Sequence, residues 1–242
     1  MSEPLLQIEG LTYTYADGTP ALRGVDVKIT PGEKVGLVGQ NGSGKSTLLM
    51  CISGLFIGKG AVRVDGIELK PSRVKDIRGR VGLVFQSSDD QLFMPTLADD
   101  LAFGPINLGL AEPEVNQRVE EAAAEMRLTS MLDRPPHHLS MGQKRNAAIA
   151  SVLVMRPALL LMDEPSSNLD PRSRRRLIEV LERLNTTMLI ASHDLALVGR
   201  LCPRILVIDE GRIVARGPTA NILADATLME KHGLEAWQDR AG

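Results

Sequence analysis

Aromatic residues are scarce in this 242-residue chain and make up only 3% of it. Base stacking on a surface platform of rings, a common way to hold single-stranded nucleic acid, is therefore not expected. Excess charge is also lacking, because 28 Lys and Arg stand against 30 Asp and Glu and leave a formal net charge of −2. Nucleic-acid-binding proteins usually carry a basic excess. We expect no nucleic-acid partner.

Cysteine and long apolar runs are few as well. The two cysteines, Cys51 and Cys202, form no C-x-x-C pair and are typical of reduced, buried thiols in a cytosolic protein. The longest apolar stretches, residues 147–155 and 158–162, are well short of the ~20 residues that a membrane span requires. The first four residues have neither the basic start nor the apolar core of a signal peptide. We expect a cytoplasmic protein that does not itself cross a bilayer.

The length predicts one large domain, or one domain with an insertion, at about 150 residues per domain. A hydrophobic content of 43% is enough for an ordinary core without disulfides. Short apolar segments with the character of strands lie at residues 35–39, 61–64, 81–85, 158–162, 188–191 and 205–208. Because several of them are almost wholly apolar, they predict a parallel sheet that is buried on both faces.

Between residues 85 and 157 helical patterns replace the strands. They lie at about 96–103, 113–126 and 141–155, with expected breaks at Gly104-Pro105 and Pro135-Pro136. We interpret this part of the chain as a helical insertion in an α/β sheet. It predicts a core made of residues 1–87 and 157–220, a helical subdomain at 88–156, and a C-terminal helix and tail at 221–242.

Two local patterns follow the insertion. Asp170 and Pro171 have the N-cap and first-turn character of a helix that runs to about residue 184. Residues 205–209 and 212–215 flank Glu210-Gly211 and predict an antiparallel hairpin that closes the sheet.

The segment from Gly39 to Ser46 matches G-x-x-x-x-G-K-[ST] at every fixed position, between a predicted strand and a predicted helix. Glycines let the backbone wrap closely around phosphates, so that N–H groups and the helix N-terminus point at negative charge. Lys45 adds a mobile cation, and the Ser46 hydroxyl can ligate Mg²⁺. The alternative is an ordinary glycine-rich turn, in which Lys45 and Ser46 would have no function. The loop consists of Gly39, Gln40, Asn41, Gly42, Ser43, Gly44, Lys45 and Ser46.

Asp163 and Glu164 directly follow an apolar strand. Two unpaired carboxylates at the end of a buried strand are strongly unfavourable, so a cation is expected close by. A Mg²⁺ ion on a nucleotide meets this need, with Asp163 holding it through water while Glu164 orients and deprotonates the attacking water. The alternative is a solvated pair before Pro165 that caps a helix, and the phosphate loop argues against it.

Ser140 and Gln143 have the spacing of a capping box at the start of a long apolar helix. Taken alone, this pattern favours a plain cap, but a serine hydroxyl, Gly142 and free N–H groups at a helix N-terminus also form an anion site. His193 and Gln86 follow predicted strands at the edge where open α/β sheets bind ligands. The neutral amide of Gln86 can meet a metal ion or water without competing for its charge.

Two further features have two interpretations each. Tyr15 precedes the first glycine-rich turn and either stacks on a base or packs in a sheet. The basic run at residues 172–176 lies on a predicted helix, with Glu179 and Arg183 at i,i+4 spacing. We interpret it as a solvated helix face and not as a binding motif.

In this order, the motifs resemble those of the ATP-binding-cassette (ABC) ATPases over nearly the whole chain. The resemblance implies an α/β P-loop NTPase (RecA-like) fold, a mixed sheet with an antiparallel β part and an inserted α-helical subdomain. It implies Tyr15 as the adenine-stacking aromatic, Gly39 to Thr47 as the phosphate loop, Gln86 as the Q-loop glutamine, Leu139 to Gln143 as the signature motif, Asp163 and Glu164 as the Walker B carboxylate and catalytic base, Ser167 to Asp170 as the D-loop and His193 as the switch histidine.

A narrower resemblance follows from residues 89–93, 99–105 and 107–110, which are similar to the helical subdomain of ATPase subunits of energy-coupling-factor transporters. The tail from Leu223 to Glu235 is similar to the cobalt/nickel branch of those subunits. The alternative within this type is the ATPase of a biotin-type vitamin importer.

Two positions depart from the family pattern. Met141 stands in the signature motif where the family usually has glycine, and Asn168 stands in the D-loop where a small residue is common. Methionine at position 141 still has a backbone N–H that can face a phosphate, provided that the φ required there is negative. Both departures bear on the rate of hydrolysis more than on the type of reaction.

The resemblance also implies cofactors and partners. ATP and Mg²⁺ would bind on the phosphate loop, and Ser140, Gly142 and Gln143 of a second copy would complete the site in a head-to-tail homodimer, or a heterodimer with a paralogous ATPase. A transmembrane coupling subunit and a substrate-binding membrane subunit would hold the chain peripherally, at the cytoplasmic face of the membrane. The other classes considered are a P-loop kinase and a non-transport cassette protein that acts on DNA or ribosomes.

Overall fold

A computed structural model of the protein describes residues 3–234. Its strands are β1 (Leu6–Thr14), β2 (Pro20–Ile29), β3 (Lys34–Val38), β4 (Lys59–Val64), β5 (Ile67–Glu68), β6 (Val81–Val84), β7 (Leu159–Asp163), β8 (Thr187–Ala191), β9 (Arg204–Asp209) and β10 (Arg212–Pro218). Its α-helices are α1 (Lys45–Ile52), α2 (Val74–Arg78), α3 (Leu97–Asn107), α4 (Glu112–Glu125), α5 (Met141–Leu153), α6 (Pro171–Arg183), α7 (Leu195–Leu201), α8 (Thr219–Ala224) and α9 (Ala226–Lys231). Short 3₁₀ turns lie at Pro71–Arg73, Thr129–Met131 and Pro136–His138.

Six strands form one sheet in the order β10-β9-β3-β8-β7-β6, which is parallel except for the antiparallel β9–β10 hairpin. Every residue of β7 and β8 is buried, because apolar side chains cover both faces. The register pairs Leu37 of β3 and Asp163 of β7 with the same residue, Ala191 of β8. The carboxyl ends of these three strands therefore meet at one edge. Five of the predicted strands and the predicted hairpin are confirmed in this sheet, whereas the strand predicted at residues 61–64 lies in a second sheet.

A separate antiparallel sheet has the order β2-β1-β4-β5. Its apolar face packs with α1 and one face of the large sheet into a shared core. The pairing of β1 with β2 shifts register between Ile8 and Leu11, and Gly10 and Gly24 there have φ of +59° and +84°. Such bulges interrupt the alternation of apolar residues. The sequence pattern therefore does not predict the bounds of β1 and β2, and the antiparallel part is expected only from the family resemblance.

The helical insertion lies between β6 and β7 as expected, and its helices α3, α4 and α5 contact one another in pairs. The expected break of α3 at Gly104-Pro105 is wrong, because the helix continues to Asn107. A side chain at residue 104 would overlap Met155, so the glycine permits a close helix contact, while Pro105 is buried. The chain leaves the helix only at Gly109, which has a φ of +75°.

Helix α6 begins where Asp170 and Pro171 predict, since the Asp170 carboxylate accepts hydrogen bonds from the backbone N–H groups of Arg172 and Ser173. The interpretation of residues 172–176 as a solvated face is wrong for Arg174. Its guanidinium is half-buried and forms a two-pronged ion pair with Asp194. A sequence pattern does not reveal this pair because Arg174 lies on α6 and Asp194 precedes α7, 20 residues along the chain.

Both cysteines are free and buried, as predicted. Burial raises the pKa of the Cys51 thiol to about 12 and that of Cys202 to about 12. Such thiols stay protonated and unreactive at neutral pH. Within residues 3–234, no helix combines the length and the apolar character needed to span a membrane.

Candidate active site

The phosphate loop connects the end of β3 to the start of α1. Gly42 and Gly44 have φ of +80° and +107°, which residues with a side chain rarely adopt. At Gly39 a Cβ atom would overlap the backbone of Ile208 on β9. The backbone favours glycine at Gly42 and Gly44, and the lack of space requires it at Gly39, so the sequence supports a loop whose backbone can approach a ligand closely.

Lys45 is the first residue of α1, and its side chain is 6% exposed. Its ammonium group donates hydrogen bonds to the carbonyl oxygens of Gly39, at 2.7 Å, and Gln40, at 2.9 Å, and lies 4.0 Å from a carboxylate oxygen of Glu164. Burial lowers the pKa of Lys45, and the charges of Glu164 and Asp163 oppose that shift. The Lys45 ammonium group is therefore held by the first two residues of the phosphate loop.

Asp163 ends β7, and its carboxylate is buried. Burial raises the pKa of this carboxyl group, a hydrogen bond from Ser46 opposes the rise, and the neighbouring charge of Glu164 adds to it. Its Oδ1 atom is buried and has no hydrogen-bond partner among the described residues. A buried acceptor without a donor is unfavourable, so the position is suited to a cation.

The Oδ1 atom of Asp163, which is unpaired within residues 3–234, raises the question of whether the surrounding residues could bind Mg²⁺. Mg²⁺ prefers hard oxygen ligands and usually takes only one or two from a protein, the remainder coming from phosphates and water. The Asp163 carboxylate and the Ser46 hydroxyl both offer oxygen ligands for a metal ion, and they are hydrogen-bonded to each other. Gln86 lines the same pocket and adds an amide oxygen. These residues fit a magnesium ion that is carried by a nucleotide.

Glu164 is 6% exposed and has a φ of +47°, in the left-handed region. Its Oε2 atom accepts hydrogen bonds from the Ser192 hydroxyl, at 3.1 Å, and the His193 backbone N–H, at 3.2 Å. The Nδ1 atom of His193 lies 2.8 Å from the same oxygen, while the rest of the imidazole is largely exposed. The residues after β8 therefore fix the Glu164 carboxylate, and His193 covers it on the solvent side.

One open pocket of about 380 Å³ brings most of the predicted residues together. They are Tyr15, Asn41, Gly42, Gly44, Lys45, Ser46, Thr47, Gln86, Asp163, Glu164 and His193. Gly39, Gln40 and Ser43 form the part of the loop outside this pocket.

Tyr15 has features of both of its interpretations. Its ring packs edge-on against Tyr13 and Phe56, and its hydroxyl lies 2.7 Å from the Thr47 hydroxyl. The residue is nevertheless 38% exposed at the pocket rim. Tyr15 therefore lies just after β1, packs against Tyr13 of that strand, and still presents part of its ring to the pocket.

Ser140, Gly142 and Gln143 lie apart from the phosphate loop and line a different pocket of about 310 Å³. The predicted capping box is present, because the Ser140 side chain accepts from the Gln143 backbone and the Gln143 side chain accepts from the Ser140 N–H. Met141 is 48% exposed and lines a third pocket, of about 470 Å³, with Asn168, Ser46 and Asp163. Asn168 itself has a φ of +62°.

Sequence reasoning missed Arg145, which is 2% exposed on α5. Its guanidinium donates to the backbone carbonyl oxygens of Phe85, at 2.9 Å, and Gln86, at 2.6 Å. Burial lowers the pKa of Arg145, and the charge of Asp163 opposes that shift. An arginine within an otherwise small and apolar helix face is the signal that could have revealed it, since buried charges need partners.

We predict that Arg145→Met destabilises the protein by about 2 kcal/mol, because a buried guanidinium and its hydrogen bonds to two partly buried carbonyl groups are lost. Urea unfolding measures this loss. Arg156→Met is the control, since Arg156 pairs with Glu121 at the surface and surface ion pairs contribute about 0–1 kcal/mol. Equal stability of the two variants would contradict a holding role for Arg145.

A glycine-rich loop between a parallel strand and a helix, beside acidic residues at the tip of a neighbouring strand, defines the class of P-loop NTPases. Residues 22–167 match the ABC transporter family. The energy-coupling factor transporter ATP-binding protein EcfA of Carboxydothermus hydrogenoformans is 43% identical over 235 residues, which cover 96% of this chain and 87% of that relative. The chain belongs to the ABC transporter family.

Two solved structures are similar over most of their length. CbiO1 from Clostridium perfringens, part of the ABC transporter complex CbiONQ, gives a TM-score of 0.85 at 35% identity, covering 95% of this chain and 94% of that one. The ATP-binding cassette MJ0796, in a dimeric post-hydrolysis state bound to ADP and Pi, gives 0.78 at 27% identity, covering 88% and 98%. The predicted ABC ATPase fold is confirmed. The chain is an ATP-binding subunit that hydrolyses ATP with Mg²⁺, as predicted.

Proposed function

We propose that this chain is the ATP-hydrolysing subunit of an energy-coupling-factor importer, with cobalt or nickel ions as the transported solute. The observation that carries the site assignment is that Lys45, Ser46, Asp163 and Glu164 line one pocket. The similarity to EcfA and to CbiO1 supports the type of transporter. The division into a core, a helical subdomain at 88–156 and a C-terminal region is part of the same proposal.

In the proposed mechanism, the loop amides and Lys45 bind the phosphates of ATP, and Tyr15 contacts the base. Ser46, Asp163 and Gln86 would hold Mg²⁺, which when bound supplies positive charge to the phosphate oxygens. Glu164 orients the attacking water and accepts its proton. The contact between His193 and Glu164 keeps that carboxylate aimed at the pocket.

Dimerisation is proposed from the position of the signature residues. Ser140, Gly142 and Gln143 line a pocket that the chain's own phosphate loop does not share. A head-to-tail pair of chains would bring the N-terminus of α5, with its partial positive charge, to the other copy's ATP. The dimeric state of MJ0796 supports such a pair, and both a homodimer and a pair with a paralogous ATPase are compatible with it.

An exposed apolar surface beside the Gln86 loop supports a membrane partner. Its members are Phe93, Phe103, Ile106 and Leu108, all at least 44% exposed. Phe93 and Phe103 pack edge-to-face at 5.1 Å. We propose that the transmembrane coupling subunit contacts this surface, which would hold the chain peripherally at the cytoplasmic face, and that a substrate-binding membrane subunit completes the complex.

Solute uptake tests the proposed function. Cells that carry the intact transporter should accumulate cobalt or nickel only when this subunit is present. Accumulation of a vitamin such as biotin instead would leave the transporter type in place and change the solute. Transfer of the γ-phosphate to a small molecule, in place of release as phosphate, would favour the P-loop kinase.

We predict that Met141→Gly hydrolyses ATP at an equal rate or up to about threefold faster, because the substitution removes a side chain where the helix end approaches phosphate. Met141 begins a regular helix after Ser140, so the backbone there does not require glycine. Steady-state phosphate release measures the rate. A large fall in rate would show that the Met141 side chain takes part in the reaction.

A further inference from the structure

The C-terminal tail reaches back to the phosphate loop. After α9 the chain turns at His232, whose backbone carbonyl accepts a hydrogen bond from the side-chain amide of Gln40 at 3.1 Å. These two residues are 192 positions apart in the sequence. The part of the tail within the described residues therefore touches the second residue of the loop, although the sequence pattern assigns this tail no contact.

The tail is held firmly at this place. The Nδ1 atom of His232 lies 2.8 Å from the Asp209 carboxylate, at the end of β9, and the imidazole is 11% exposed. Met229 is fully buried and Leu234 nearly so, both in the core beneath. The same strand β9 pairs with β3, which leads into the phosphate loop. We name residues 229–234 the C-terminal strap.

The contact with Gln40 is tight. Gly233 has a φ of +63°, and a Cβ atom on it would overlap the Gln40 amide. The left-handed backbone favours glycine at this position, and a methyl group there would displace the exposed end of the Gln40 side chain. A methyl group on residue 233 would therefore break the contact between the strap and the Gln40 amide.

Gln40 connects the strap to Lys45 of the phosphate loop. Its side chain bonds to the strap while its own carbonyl oxygen accepts a hydrogen bond from the Lys45 ammonium at 2.9 Å. Next to it, Gly39 packs against the backbone of Ile208 on β9. The first half of the loop is thus fixed between β9, the strap and the lysine that follows.

We propose that the C-terminal strap positions the phosphate loop through Gln40, so that the strap and bound ATP stabilise each other. This inference rests on the proposed assignment of Gly39–Thr47 as the phosphate loop. Because linkage is reciprocal, ATP that prefers the strapped loop also strengthens the attachment of the strap. Gln40 and Gly233 are positioning residues here, and neither needs to touch the reacting atoms.

A double-mutant cycle on ATP affinity tests the proposal. We expect Gly233→Ala to raise the Kd for ATP about fivefold and Gln40→Ala about threefold. The double variant should bind like Gln40→Ala alone, because removing the glutamine side chain makes room for the methyl group. Gly66→Ala is the matched control, since Gly66 has a φ of +72° but open space around it. We expect it to bind ATP like the wild type.

Hydrogen exchange of the strap gives a second readout. In the full-length wild type, we expect ATP with Mg²⁺ to slow exchange of the amides in residues 229–234, and we expect this slowing to be lost in Gln40→Ala. A merely structural tail would show exchange that does not respond to ATP. The proposal would be overturned if the fold-increases in the Kd for ATP of the two single variants multiply in the double variant. It would also be overturned if Gly233→Ala binds ATP as tightly as the wild type.

Lys45→Ala separates this inference from the assignment on which it depends. If Lys45→Ala weakens ATP binding and Gly233→Ala does not, the strap proposal is wrong and the phosphate loop stands. If Lys45→Ala leaves ATP affinity unchanged, the loop assignment itself is wrong.

Discussion

Glu164→Gln lowers the ATP turnover number by about a hundredfold or more while the variant still binds ATP. Glutamine has the shape of glutamate and keeps an oxygen that can accept the hydrogen bonds from Ser192 and His193. It cannot take a proton from water at neutral pH. The expected loss is therefore confined to the chemical step, and with ATP unhydrolysed, the proposed dimer should stay associated.

Phosphate release measured at saturating ATP gives the turnover number, and fluorescent-nucleotide titration gives the affinity. Glu33→Gln is the matched control, because Glu33 is partly buried and ion-paired with Arg204 away from the pocket. It should keep normal turnover. Turnover near that of the wild type in Glu164→Gln would remove Glu164 from its proposed role as the base.

Lys45→Ala raises the Kd for ATP by about 10- to 100-fold, the effect of losing a charged donor to phosphate. The lysine is already desolvated, so it can meet phosphate oxygens by exchanging its bonds to Gly39 and Gln40. Its removal also leaves the carboxylates of Asp163 and Glu164 with less positive charge nearby. Both effects disfavour a bound triphosphate.

Lys34→Ala is the control for this prediction. Lys34 also donates to two carbonyl oxygens, those of Leu181 and Glu182, at 2.8 and 2.9 Å, and burial lowers its pKa too. Its loss should affect stability without changing ATP affinity. Calorimetric titration with ATP and Mg²⁺ compares the two variants, and equal affinities would count against the phosphate-loop assignment.

The parallel sheet and its ligand-binding edge were predictable because their signals are local. A strand that is buried on both faces has a continuous apolar run, as residues 158–162 do, and the loop after β3 carries its chemistry in adjacent residues. The grouping of Asp163, Glu164 and His193 then follows from the rule that parallel strands end at the same edge. The roles of these residues, and the domain bounds, stay predictions.

Other features depend on contacts between distant parts of the chain. Gly104-Pro105 predicts a helix break because the sequence does not show that Met155 packs against Gly104. Arg174 is predicted to be solvated because the sequence does not show that Asp194 lies beside it. The Gln40 contact with the tail is of the same kind. The tail resemblance ends at Glu235, which lies outside the described residues.

The loop that carries Gln86 is attached to α5 at three points. Arg145 holds its backbone, Lys144 pairs with Asp89 at 2.6 Å, and the Gln91 amide donates to the carbonyl oxygen of Ala148 at 2.6 Å. On the side of the sheet, the loop is joined to the C-terminal end of β6. A displacement of α5 relative to the sheet would therefore move the backbone of Gln86 as well. In the proposed dimer, the position of one chain's α5 at its partner's ATP would therefore affect the position of Gln86 at that chain's own ATP.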